Sequence, residues 1–178
     1  MKLSLARVFL PVLAGLLFAA QTASLRAQQW KTYSFPADSF TAAFPSEPDQ
    51  STKELDTPNG KVEVHSYAIQ DGQTVLLVGV FGYKNGLSGR DPVAVLEAGK
   101  QGILSSVNAK SGQEKSIALG SHPGIEFTAE SDTARMTVRI YAVNNTIYQL
   151  IVVAADKRPY AGTQQFLESF QLGAIPSR

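Results

Sequence analysis

His65 and His122 are the two histidines of the chain, and by type they are the residues best suited to bind a metal or carry a proton near neutral pH. A zinc site needs three or four nitrogen, oxygen or sulfur ligands, and neither histidine has the ligand spacing or the helical His-x-x-x-His partner that such a site uses. His65 lies beside Glu63 on an alternating stretch, and His122 precedes Pro123 in a turn, so both read as ordinary surface or turn residues. Ser88, within Gly86-Leu87-Ser88-Gly89-Arg90, approaches the nucleophile-elbow pattern G-x-S-x-G, but Arg90 stands where the final glycine belongs. Glu114 and His122 follow in the order acid then histidine, and nothing in the spacing joins them to Ser88. A flexible loop explains the segment more simply.

That loop, Tyr83 to Arg90, precedes a helix start and could face a phosphate. It lacks the Gly-Lys-Ser/Thr ending of a P-loop, and Asp91 would repel an anion; Asp91 reads instead as a helix cap. Glu126, Glu130 and Asp132 could pair for acid–base work, yet at alternating strand positions they read as a solvated face. Asn144-Asn145-Thr146 matches a glycosylation sequon, but a tight hairpin accounts for it. Trp30, Tyr33, Phe35, Phe40 and Phe44 could line a groove for an apolar or peptide ligand; core packing is the simpler reading, given the apolar area aromatic rings bury. With no cysteine in the chain there can be no disulfide framework, thiolate metal site, redox motif or thiol nucleophile. No catalytic, cofactor-binding or metal residue is assigned on this basis.

The elements that would position these groups are legible in the apolar pattern. Trp30 to Phe35 alternates as an edge strand ended by Pro36, and Phe40 to Phe44 is a second short strand stopped by Pro45 and Pro48. Gln50 to Asp56 is polar and weakly patterned. Asn59-Gly60 is the best hairpin signal, and Asp71-Gly72 repeats it. Between them Val62, Val64, Ser66 and Ala68 share one face, and Glu63, His65, Tyr67 and Ile69 the other. Thr74 to Tyr83 is apolar on both faces, as a covered central strand should be. Asp91 and Pro92 open a helix, as N-cap and first residue, whose stripe of Val93, Leu96, Ile103 and Val107 fades near Asn108. Four strands follow: Glu114 to Leu119, Ile125 to Ala129 after a turn at Gly120 to Gly124, Ala134 to Val143, and Thr146 to Ala154. Asn144-Asn145 turns between the last two. A C-terminal helix from about Pro159 to Ser169 would aim Tyr160, Phe166, Leu167 and Phe170 at the sheet. Hairpins followed by helices predict an α+β fold with a mostly antiparallel β-sheet covered by two or so helices.

The first residues set the expected address. Lys2 and Arg7 precede an apolar run of 13 residues, Val8 to Ala20, which suits a signal peptide and is too short to span a bilayer. Cleavage after Ala27 is the first choice, with Ala20 or Ala23 as alternatives, and with no cysteine near the cleavage region bacterial-type lipidation of a mature N-terminal cysteine is not expected. Residues 1–27 would then be the signal peptide and 28–178 a single domain. A chain of 151 residues can bury about 68–70% of its unfolded surface, enough for one core. It would carry 13 basic and 15 acidic residues, no field for nucleic acid or anionic lipid, and no stable membrane span.

Several segments in this order resemble a known family. They are Phe40-Thr41-Ala42-Ala43-Phe44-Pro45, then Leu119-Gly120-Ser121-His122-Pro123-Gly124-Ile125-Glu126-Phe127, then Arg139 to Leu150, and finally Phe166-Leu167-Glu168-Ser169-Phe170. The sequence resembles the PsbP-like superfamily, which includes the photosystem extrinsic subunit, DcrB-type proteins and LpqN-type lipoproteins. The resemblance covers about Trp30 to Leu172 and implies an α/β/α sandwich, an exported or lumenal location and no enzymatic activity; no cofactor is expected. It carries no site residue across and implies no role in photosynthesis.

The expectation is an exported, non-enzymatic binding or assembly module of the periplasm or cell exterior, with an envelope or extracellular protein as partner. Its contact surface would be a sheet edge, an aromatic groove, or the loop residues Tyr83, Lys84, Asn85, Leu87, Ser88 and Arg90. The alternatives are a carrier of small apolar molecules and an extracytoplasmic hydrolase using Ser88.

Overall fold

A computed structural model describes residues 30–57, 60–83, 86, 87 and 89–173. The expected signal peptide and its cleavage site, and Asn59, Lys84, Asn85 and Ser88, lie outside the described residues. In chain order the elements are β1 (Lys31–Phe35), a 3-10 turn (Pro36–Asp38), β2 (Phe40–Phe44), β3 (Asp49–Thr57), β4 (Gly60–Asp71), β5 (Thr74–Tyr83) and α1 (Pro92–Ser106). They continue with β6 (Lys110–Leu119), β7 (His122–Glu130), β8 (Arg135–Val143), β9 (Thr146–Ala154), α2 (Thr163–Glu168) and β10 (Gln171–Leu172).

Seven strands form one antiparallel sheet in the order β3-β4-β5-β9-β8-β7-β6, and β1-β2-β10 form a small second sheet. Each face of the large sheet carries its own core. On one side α1 lays Leu96 and Leu104 against Ile125, Phe127, Met136, Val138 and Ile140. Gly99 permits this approach, because a Cβ there would stand 3.3 Å from the Ile140 side chain. On the other side β1, β2 and α2 bring Phe35, Phe40, Phe44, Phe166 and Phe170 onto Tyr67, Leu76, Val78, Tyr148 and Leu150. The N-terminal aromatic residues are therefore core: Phe40 stacks on Phe35 at 4.7 Å and on Phe170 at 5.4 Å. Each such fully buried ring contributes about 1.5–3 kcal/mol from apolar burial. The α+β, mostly antiparallel sandwich expected from the sequence is what the chain forms, with the small sheet sharing the second cover with α2.

The differences from the sequence reading have local causes. β3 was read as weakly patterned because it is an edge strand whose residues 49–55 are exposed, so no apolar alternation marks it. Asn144-Asn145 turns between β8 and β9 as expected, whereas the first two hairpin signals are each displaced by one residue. Thr57 pairs with Gly60, and Asp71 pairs with Thr74, so Gly60 belongs to a strand and the second turn is Gly72-Gln73. β6 begins at Lys110 rather than Glu114, with a bulge between Ser111 and Glu114 that hides its period. β7 begins at His122, directly after a Gly120-Ser121 turn, and tolerates Pro123 because pairing with β8 starts only at Gly124. α2 starts at Thr163 rather than near Pro159, after Gly162, where a Cβ would collide at 2.5 Å with Trp30.

Candidate functional site

The 3-10 turn ends at Asp38, over the end of the large sheet where the β8–β9 hairpin turns. Between them opens a cleft of about 770 Å³. Its walls are Ala37 to Ser39, Glu63 and His65 of β4, Val80, Gly82 and Tyr83 of β5, and Val143 to Thr146 and Tyr148 of the β8–β9 hairpin. β4 alternates, so Glu63, His65 and Tyr67 emerge on one face, towards the turn.

Four polar side chains, Asp38, Glu63, His65 and Tyr67, meet there, and a fifth, Tyr148, bonds the backbone beside them. His65 Nδ1 lies 2.8 Å from both carboxylate oxygens of Asp38, and its Nε2 lies 2.8 Å from Glu63 Oε1. The Tyr67 hydroxyl donates to Asp38 Oδ2, and the Tyr148 hydroxyl donates to the Asp38 carbonyl at 2.9 Å. Asp38 is only 8% exposed, so the large sheet grips the turn of the small one through a buried residue, β4 by its carboxylate and β9 by its carbonyl. A carboxylate only accepts, and His65 faces one at each nitrogen, so the surroundings favour the doubly protonated ring with both nitrogens donating. Burial alone would lower the His65 pKa; the hydrogen bonds and charges of Asp38 and Glu63 outweigh it and raise the value above 6.5. Burial, and the nearby Asp38 charge, hold the Tyr148 hydroxyl protonated, with its pKa pushed up to about 12.

Two backbone features shape the mouth. Ser39 sits in the left-handed region at φ 53°, closed by its amide donating to the Pro36 carbonyl at 3.2 Å. Asn145 clasps the loop after β5: its carbonyl accepts from the Tyr83 amide at 3.1 Å and its Oδ1 from the Leu87 amide at 3.0 Å.

The residues singled out from sequence scatter. His65 joins the cleft, whereas His122 starts β7, four strand steps away, or about 19 Å at the usual spacing. The two cannot share a metal, and among the described residues no three His, Cys, Asp or Glu side chains are placed to hold a metal ion. Glu114 is bound to Lys100 at 2.7 Å. Glu126, read as part of a solvated face, is 13% exposed and lies 2.6 Å from Arg139 and 2.8 Å from Lys115. Of the loop proposed as a contact surface, Tyr83 lines the cleft and Arg90 is exposed, but Leu87 is buried in the core under α1. Asp91 caps α1 as expected, accepting from the Val93 amide at 3.0 Å. Asp38 was missed, since no local pattern links the end of a turn to a strand 27 residues on.

No family model matches the sequence, and no curated protein matches it. Among solved structures the chain is similar to the solution structure of cyanobacterial PsbP (CyanoP) from Synechocystis sp. PCC 6803. The TM-score is 0.55 at 9% identity, over 86% of this chain and 98% of that one. The chain thus has a PsbP-like fold, as the sequence resemblance implied. At this identity the likeness speaks for the fold alone and transfers no residue's role. No helix among the described residues is long and apolar enough to cross a membrane.

Proposed function

We propose that the chain is an exported accessory module that binds an envelope or extracellular protein through the cleft between Asp38 and the β8–β9 hairpin, and that it catalyses no reaction. The observation that carries this reading is the state of His65. While both nitrogens donate to carboxylates the ring has no lone pair free to take a proton, which supports a role for it in fixing the cleft wall. What remains is an open, predominantly polar surface of ordinary ligand-site volume, rimmed by Asn144, Asn145, Thr146 and Tyr83. Such a surface suits the backbone and side chains of a peptide segment better than an apolar small molecule, which favours the assembly reading over the carrier. The leading segment of the sequence supports export.

The test is photo-crosslinking in the native envelope, with the crosslinker placed at Thr146 in the cleft or at Gln113 on the exposed edge strand β6. A discrete protein adduct from Thr146 and none from Gln113 is expected. An adduct from Gln113 alone would move the contact to the sheet edge and overturn the cleft as docking site.

A further inference from the structure

The opposite end of β8 and β9, eight residues or about 26 Å along the strands, holds a second groove of about 250 Å³. Arg135, Thr137, Arg158, Tyr160 and Thr163 line it. Its chemistry follows from the register of β7 and β8, which sets Glu126 opposite Arg139 and Glu130 opposite Arg135. The first couple closes as an ion pair at 2.6 Å, and Arg139 also donates to the Leu167 carbonyl at 3.0 Å. The second couple does not close. Glu130 instead accepts from Lys157 at 3.3 Å, and the Arg135 side chain has neither a hydrogen bond nor an ion pair among the described residues. Its guanidinium is left on the groove with no counter-ion. Arg158 bonds Asp156 through Nε at 2.9 Å, which leaves both of its Nη groups to donate. The acids nearby are thus already engaged, and so is Asp71, which accepts from the Tyr160 hydroxyl at 2.5 Å and holds that ring in place as a wall.

We propose that this groove binds a small organic molecule through a phosphate or carboxylate group. The oxyanion lies on Arg135, whose planar fork matches two oxygens at once, and Arg158 supplies a second cation. The groove is larger than the oxyanion needs, and the Tyr160 ring supports the rest of the molecule. The site is separate from the cleft and does not depend on the function proposed for it.

The test is a titration of the purified protein with phenyl phosphate and with inorganic phosphate, followed by the NMR signals of the Arg135 and Tyr160 side chains. Saturable shifts at both residues are expected, with phenyl phosphate binding the tighter. Arg135→Gln should weaken binding at least tenfold and Arg158→Gln about threefold. Lys53→Gln, which removes an exposed cation on β3, should leave it unchanged. Arg135→Lys keeps the charge but loses the fork and should bind between wild type and Arg135→Gln. Because Arg135 and Arg158 are exposed, all four variants should melt at the wild-type temperature. Wild-type affinity in Arg135→Gln, or equal losses in Arg135→Gln and Lys53→Gln, would overturn the site in favour of diffuse charge attraction. Wild-type affinity in Arg135→Lys would overturn forked recognition, and equal affinity for the two phosphates would overturn the role of Tyr160.

Discussion

At the level of single residues, His65 is held between Asp38 and Glu63, which favour its protonated ring. Folding raises its pKa, so the folded chain keeps the proton to higher pH than the unfolded chain does. The stability it adds is complete below pH 6.5 and is lost as pH rises through the raised value. Subtracting the stability–pH curve of His65→Gln from that of wild type should therefore leave a difference that shrinks as pH rises above 6.5. A difference that grew with pH would contradict the ion-pair account. Asp38→Asn removes the buried negative charge facing His65 and turns one of the two accepting oxygens into an amide donor. It should cost about 2 kcal/mol in denaturant unfolding and lower the His65 pKa measured by NMR. Part of this centre was legible in the sequence, since the period of two on β4 already put Glu63, His65 and Tyr67 on one face. What that pattern could not supply was the fourth member, because Asp38 reaches the strand only after the small sheet folds over the large one.

At the level of elements, glycine and asparagine decide how closely neighbours approach. Gly124 starts the pairing of β7 with β8, and a Cβ there would lie 2.5 Å from the Tyr141 ring and 2.6 Å from the Ile140 carbonyl oxygen. Backbone cannot give way as a side-chain tip can, so Gly124→Ala should destabilise by about 2–3 kcal/mol, read from the denaturant midpoint. A loss under about 0.5 kcal/mol would mean that the strands separate freely at that point. Asn145 ties the loop after β5 to the β8–β9 hairpin, and Asn145→Ala should cost about 1 kcal/mol while speeding amide exchange at Leu87. Unchanged exchange at Leu87 would show that the clasp does not hold the loop. The central strands β5 and β9 and helix α1 were legible because their apolar runs and the Asp91-Pro92 start are strong local signals. The edge strand β3, the bulged first half of β6 and the two-residue β10 were not. Their residues bury too little side chain to leave a period, and pairing with a neighbour alone defines them.

At the level of the whole molecule, two cores share one seven-stranded sheet, and the small sheet with α2 closes the face that α1 leaves open. Both edge strands, β3 and β6, are polar and exposed, and β6 is bulged as well. These features discourage another chain from adding to the sheet and direct attention to the cleft. The resemblance in sequence anticipated this PsbP-like architecture. The cleft was not anticipated, because its walls come from the 3-10 turn, three strands of the large sheet and the β8–β9 hairpin. The central claim is that this cleft docks a protein partner, and a cleft-filling variant tests it most directly. A Cβ at Gly82 would meet only the Glu63 carbonyl oxygen, at 3.9 Å, so Gly82→Trp can be accommodated and projects a ring into the cleft. Affinity capture from the native envelope should recover a stoichiometric protein partner with wild type and lose most of it with Gly82→Trp, at equal melting temperature. Undiminished recovery with Gly82→Trp would contradict the account.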